Sequence, residues 1–432
     1  MTKLAVRYQR TEWYVALTLS LLLAVAVRAE DWPQFRGPNR DGVWNETGIL
    51  QSFPTGGLKV RWRQPVGVGW SSPVVAQGRV FVTDALLQKP SVKERVHCFD
   101  EATGKPLWTC AYDVTYSEWV WVPSQTSGPT ATPVVDAGKV YALGANGHVH
   151  CLDAQTGRVI WEKDLGKQYQ ILVQQCRPSP LIEKNLLIVF AGAKPGASVI
   201  ALDKGTGKEI WKALNDPVSN SSPLVIGAGG TRQLIVWTDE SVASLNPATG
   251  ETFWRKPMVT SHNDSIATPV VQKNRLLIGG LMLTLDDDRP AASILWPEAR
   301  GASKRILSNT STPLLQGDYV YSARSSGELV CLDALTGRQL WQTGTVTDLK
   351  RGASIHLTPN GDAVFLFTDK GDLIRAQLTP KGYRQLSRAH LLEPTSPMDD
   401  SKCAWTPPAY ANHHVFARND VELVCASLAA NP

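Results

Sequence analysis

Five segments of this chain repeat one pattern: an acid or amide, two variable residues, Thr-Gly, three more residues, then Trp. They are Asp100-Thr103-Gly104-Trp108, Asp153-Thr156-Gly157-Trp161, Asp203-Thr206-Gly207-Trp211, Asn246-Thr249-Gly250-Trp254 and Asp333-Thr336-Gly337-Trp341. Recurrence at this spacing signals one supersecondary unit stacked many times, since a single short unit cannot bury its own apolar face. The 432 residues therefore read as one array, where length alone would suggest two or three separate domains.

One unit is clearest between Thr130 and Leu165. Thr132-Pro133-Val134-Val135 is a short apolar strand, followed by a turn at Asp136-Ala137-Gly138 and a second strand from Lys139 to Leu143. Ala145-Asn146-Gly147 turns the chain into a third strand, His148 to Leu152. The repeat turn, Asp153 to Gly157, then leads to a fourth, Arg158 to Lys163. Short alternating runs separated by turn residues predict an antiparallel meander. Asp suits the head of the turn because its carboxylate accepts nearby backbone N–H groups, and Gly takes the left-handed conformation. Trp falls on the outermost strand, where a large aromatic is expected to wedge between neighbouring units.

First strands are marked by Ser72-Pro73, Thr132-Pro133, Ser179-Pro180, Ser222-Pro223, Thr268-Pro269, Thr312-Pro313, Thr358-Pro359 and Thr406-Pro407. Fourth-strand anchors are Trp62, Trp108, Trp161, Trp211, Trp254, Trp296, Trp341 and Leu386. Both sets count eight, but they are out of phase. The chain starts on a fourth strand (Leu58 to Gln64) and ends after a third (Glu422 to Leu428). The expected fold is all-β: an eight-bladed β-propeller of four-stranded antiparallel blades, closed by the N-terminal strand joining the C-terminal blade. Two blades break the pattern. Blade five reaches Trp296 from Leu285-Asp286 without Thr-Gly, and blade seven carries Leu386 after Pro380-Lys381-Gly382.

Residues 1–29 read as a signal peptide: Lys3, Arg7 and Arg10, an apolar run of 15 residues from Trp13 to Val27, then Val27-Arg28-Ala29 as a cleavage site. The run is shorter than the roughly 20 residues that span a bilayer, so no transmembrane segment is expected after cleavage. No Cys follows it for lipid attachment. Residues 30–57 form an extended lead-in whose Trp32 and Trp44 are expected to pack on the propeller exterior, and residues 58–432 form the propeller. The formal charge is +5, and only about +2 remains beyond the first 29 residues, which argues against nucleic acid or an anionic membrane surface. Cys98, Cys151, Cys331 and Cys425 share one repeat position, too far apart for disulfides, and read as small buried hydrophobes. Cys110, Cys176 and Cys403 have no assigned pairing.

The repeat resembles the pyrroloquinoline quinone (PQQ) repeat of bacterial eight-bladed propellers, a family that includes quinoprotein alcohol dehydrogenases and the outer-membrane assembly factor BamB. The resemblance runs from Leu58 onward. Asp31-Trp32-Pro33-Gln34-Phe35-Arg36-Gly37-Pro38 also looks like the lead-in of exported bacterial PQQ-like propellers. Enzymes and non-enzymes share the docking motif, so it specifies shape more than activity. Dehydrogenases of the family carry a vicinal Cys-Cys disulfide and hold Ca²⁺ through Glu, Asn and Asp. This chain has no adjacent cysteines. Glu118, Asn263 and Asp264 are oxygen ligands in kind but sit in no family motif. No catalytic residue is carried over and no cofactor is predicted, PQQ with Ca²⁺ being the alternative.

Linkers from a fourth strand to the next first strand, and second-to-third-strand turns, gather on one face of a propeller, where a rigid scaffold presents them for binding. The candidate residues there are Trp70, Glu118, Trp119, Trp121, Gln125, Gln175, Arg177, Asn220, His262, Asn263, Asp264, Asn309, His356 and Trp405. Trp119 and Trp121, one residue apart on a strand-like segment, are expected to face the same way. Aromatic platforms with amides and a few cations suit a peptide, a planar ligand or a sugar. No Walker loop, CxxC or GxGxxG phosphate cradle is present. The residues thus favour a monomeric, non-catalytic, exported binding or scaffold module, periplasmic or extracellular, with a protein, peptide or glycan partner. A PQQ-dependent oxidoreductase and a polysaccharide-binding or polysaccharide-acting protein are the alternatives.

Overall fold

A computed structural model describes residues 30–171, 176–259, 266–297, 307–308, 310–350, 353–398 and 401–430. Eight four-stranded antiparallel sheets form the blades, and one further hairpin, Ser396–Met398 with Ser401–Cys403, lies in the linker between blades seven and eight. Blade two has the strands Val134–Asp136, Lys139–Leu143, His148–Asp153 and Val159–Asp164, as its turn residues predict. Ring closure is also as expected. Val60–Pro65 pairs antiparallel with Glu422–Ser427, with Trp62 opposite Cys425 and Gln64 opposite Leu423. The fully buried Arg418 reinforces this junction, donating to the Thr83 carbonyl at 2.7 Å and the Gly67 carbonyl at 2.6 Å.

The Thr-Gly-Trp repeat works across blades. In four copies the Asp carboxylate accepts from the Thr backbone N–H at 2.9 Å. It also accepts from the Thr hydroxyl, at 2.6 Å for Asp100 and 2.8 Å for Asp153. These donors hold the Asp100, Asp153, Asp203 and Asp333 carboxyls below their ordinary values. The glycine then sits at positive φ and its bare face receives the indole of the preceding blade. A Cβ on Gly104 would stand 2.6 Å from the Trp62 ring, and one on Gly157 2.6 Å from Trp108. The indole N–H donates to a turn carbonyl: Trp62 to Glu101 at 2.8 Å, Trp108 to Ala154 at 3.1 Å, Trp161 to Lys204 at 3.1 Å, Trp211 to Pro247 at 3.1 Å and Trp296 to Ala334 at 2.9 Å.

Each irregular blade follows from this handover. Blade five has no Thr-Gly turn, so Trp254 of blade four bonds instead to Gln233 Oε1 within its own blade, at 3.0 Å. Trp341 finds the Thr379 carbonyl at 2.8 Å beside the Pro-Lys-Gly turn of blade seven. Blade eight takes its fourth strand from the N-terminus and has no third-to-fourth-strand turn. Blade seven has nothing to dock on, and its expected anchor is displaced: Ser387 pairs with Arg375 at the position the tryptophans hold, and Leu386 falls in the bulge.

Around the channel a Ser/Thr of the Ser/Thr-Pro pairs links neighbouring first strands at four junctions. The N–H of Ser72 donates to Thr132 Oγ1, that of Thr132 to Ser179 Oγ, that of Ser179 to Ser222 Oγ and that of Thr268 to Thr312 Oγ1, each at 3.0 Å.

The lead-in overturns its expectation. Trp32 and Trp44 are 2% and 0% exposed and do not lie on the exterior. Trp32 exchanges backbone bonds with Val75 of blade one, Pro33 accepts from Val135 of blade two, and Trp44 donates to Pro359 of blade seven. Arg40 reaches the Pro180 and Ser179 carbonyls of blade three at 2.8 and 3.2 Å. The segment thus crosses the inner strands and caps the channel on the face of the first-to-second and third-to-fourth-strand turns. Apolar side chains favour that site because it removes them from water on all sides; Trp44 lies 5.4 Å from the Tyr410 ring and 5.7 Å from Phe365.

All seven cysteines are free, and Cys98, Cys151, Cys331 and Cys425 are buried. Among the described residues no helix is long and apolar enough to cross a membrane, and the expected signal peptide lies outside those residues.

Candidate functional site

The face opposite the cap is built around the linker between blades one and two. Glu94, 1% exposed, anchors it from the third strand of blade one. Its carboxylate accepts from the Tyr112 and Tyr116 hydroxyls at 2.6 Å each and from the Ala145 N–H at 3.1 Å. Burial raises this carboxyl above its ordinary value despite those donors. Tyr116 and Val120 are buried, pinning the linker where it becomes two short 3-10 turns, Glu118–Trp121 and Pro123–Gln125.

The first turn corrects the expectation for the two indoles. A 3-10 turn advances about 120° per residue, so Trp119 and Trp121 do not share a face. Trp119 is 36% exposed and the neighbouring Val122 44%. Trp121 leans on the apolar cluster around Ala85 and Val120, with Lys89 Nζ 6.0 Å from its ring centroid. Glu118 points outward, its side chain 89% exposed and 4.0 Å from Lys89. Lys89 comes from the tip of the blade-one hairpin, whose strands Arg79–Gln88 and Ser91–Asp100 are the longest pair in the ring. Such strands raise the tip above its neighbours.

Below the rim, three linkers meet. Trp70 donates its backbone N–H to Pro129 at 3.0 Å and its indole N–H to Ser396 Oγ at 3.1 Å. The Pro123–Gln125 turn rests on the Ser396–Met398 strand, with Gln125 exposed. Arg177 is half-buried, and burial lowers its guanidinium below the ordinary value. Its carbonyl accepts from Thr130 Oγ1 at 3.2 Å. Asn220 stands half-buried on the opposite side, before the first strand of blade four. The Trp405 carbonyl accepts from His356 Nε2 at 2.8 Å, and burial pushes the His356 imidazole down to about 4. Gln175, His262, Asn263, Asp264 and Asn309 lie outside the described residues.

Two clusters escaped the sequence reading. Glu94 is one. In the other, buried Asp369 accepts from Thr347 Oγ1 at 2.6 Å and pairs with Lys350 at 3.2 Å, and Lys350 stands 3.6 Å from the Cys403 sulfur. Lone charged residues in separate strands, turns and linkers gave no signal; only the ring brings them together.

Of the candidate calcium ligands only Glu118 falls among the described residues. Glu118 is turned to solvent on the rim, no two cysteines are joined, and among the described residues no three His, Cys, Asp or Glu side chains converge as metal ligands.

Eight blades, five of whose junctions dock an indole on a turn glycine, define a β-propeller built from PQQ-type repeats. A family model described as outer membrane protein assembly factor BamB matches residues 92–283 and 198–398, and the chain belongs to that family. BamB of Burkholderia pseudomallei is 30% identical over 236 residues, covering 52% of this chain and 58% of that protein. The quinoprotein alcohol dehydrogenase PedH of Pseudomonas putida is 28% identical over 151 residues, 31% of this chain and 24% of that protein. The chain thus spans less than two thirds of the length of either relative. The crystal structure of BamB from Moraxella catarrhalis superposes with a TM-score of 0.56 at 18% identity, covering 85% of this chain and 99% of that one, a likeness of fold.

Proposed function

We propose that this chain is an exported, non-catalytic propeller that binds an extended protein segment in the bacterial cell envelope, in the manner the name of its family suggests. One observation carries the reading: Trp119 and Val122 are exposed on a linker that buried Glu94 and Tyr116 hold rigid. Apolar side chains fixed in solvent by a buried polar anchor suit docking, because little conformational entropy is lost on binding. Lys89 beside them favours a segment carrying acidic or aromatic groups. The periplasm, reached by export through the expected signal peptide, is the cellular setting that fits this role.

The test is fluorescence anisotropy with labelled, unfolded peptides from outer-membrane β-barrel strands. Trp119→Ala is expected to weaken binding about tenfold, as for an aromatic anchor. Leu335→Ala, on the opposite face and 57% exposed, is expected to leave it unchanged. Equal effects of the two variants would overturn the site. Saturable uptake of PQQ with Ca²⁺, accompanied by dye-linked alcohol oxidation, would overturn the class in favour of an oxidoreductase. Selective retention on a glycan array, lost in Trp119→Ala, would replace the peptide with a sugar.

A further inference from the structure

The capped end of the channel holds an imbalance of charge. The lead-in brings two arginines into it, and their guanidinium groups bond mainly to carbonyls: Arg36 to those of Arg40 and Asp41 at 3.3 and 2.6 Å, Arg40 to those of Pro180 and Ser179. Arg40 is 5% exposed and its Nε lacks a hydrogen-bond partner. Burial pushes Arg36 down to about 10 against the opposing charge of Asp41, and burial together with the Arg36 charge pushes Arg40 to about 9. Carbonyls satisfy donors without cancelling charge, so the buried Arg40 beside the half-buried Arg36 remains costly.

Next to Arg36 lies a cavity of about 30 Å³, walled by Trp32, Phe35, Ser72, Thr312 and Thr358 among others, with no carboxylate in its lining. A water needs about 10–15 Å³ of such space, so the cavity has room for a small species. Ser72 is 2% exposed and its Oγ has no partner, although the girdle uses its backbone N–H. A buried hydroxyl without a partner is destabilising, and Ser72 lines the same cavity as Arg36.

We propose that the closed end of the channel binds one small monovalent anion of halide size, held between the Arg36 guanidinium and the Ser72 hydroxyl. The anion offsets the charge of the lead-in arginines and satisfies Ser72, locking the cap onto the inner strands. The cavity lies under the cap and reaches His356 deeper in the channel, and the proposal does not rest on the peptide-binding reading of the rim.

Crystals of the full chain grown in sodium bromide provide the test, with anomalous scattering locating the ion. The expected result is one bromide peak between Arg36 and Ser72, with a melting temperature higher in bromide than in gluconate at equal ionic strength. Ser72→Ala is expected to weaken the bromide dependence of melting about tenfold in concentration, the loss of a charge-assisted hydrogen bond, and Arg36→Gln to abolish it. A map with water alone at this place, or bromide peaks confined to the surface, would overturn the proposal. So would an unchanged bromide response in Ser72→Ala, a small substitution that keeps the girdle N–H.

Discussion

Gly138 and Gly157 have nearly the same backbone angle, φ +75° and +72°, in opposite surroundings: nothing lies within 4 Å of a Cβ on Gly138, whereas the Trp108 ring lies 2.6 Å from one on Gly157. Alanine at 138 should cost about 1 kcal/mol, the strain of a left-handed residue. Alanine at 157 should cost about 2–4 kcal/mol, because it also displaces an indole from a filled interface. Urea denaturation followed by tryptophan fluorescence separates the two. His356 gives a second residue-scale expectation. Its imidazole is pushed from 6.5 down to about 4, so the folded state binds fewer protons than the unfolded chain between those values. Its contribution to stability is therefore complete above about pH 6.5 and lost as pH falls through 4. His356→Gln, which keeps a donor for the Trp405 carbonyl, should flatten the pH dependence of the denaturation midpoint in that window. At this scale the sequence carried much: Asp, Gly and Trp have fixed duties that recur. It could not give the buried polar clusters, since Glu94 and Asp369 meet their partners only through the ring.

Among elements, the blades and the lead-in differ in how well they could be foreseen. A blade announces itself by period, and even its lapses are local: Trp254 turns inward because blade five lacks a docking glycine. The lead-in has no period to read, and Trp32 and Trp44 could be matched to a surface only once the open channel end existed. The Trp119 segment was misjudged for a related reason. Six residues without Gly or Pro look extended, but packing of Tyr116 and Val120 coils them. One prediction belongs to the lead-in as a whole. Deleting residues 30–50 removes two buried indoles, each worth about 3–5 kcal/mol by truncation, and opens the core around Phe365 and Tyr410. The melting transition should broaden and fall steeply in calorimetry; an unchanged transition would show the cap to be an ornament.

For the whole molecule, the repeat and its phase offset were enough to predict eight blades and their closure, because a ring built from one docking device has few other ways to satisfy its edges. They were silent on which face does the work. That difference comes from the irregular parts: the raised blade-one hairpin and three converging linkers on one side, the cap and short turns on the other. Both ends of the described chain emerge on the capped side, Glu30 beside the blade-one turns and Ala430 bonded to Gly48. A tether joined to the chain at either place therefore has a built-in orientation. Attached to a surface through a short tether at Glu30 or Ala430, the ring would lie with its cap toward the support and present Trp119 and Val122 outward.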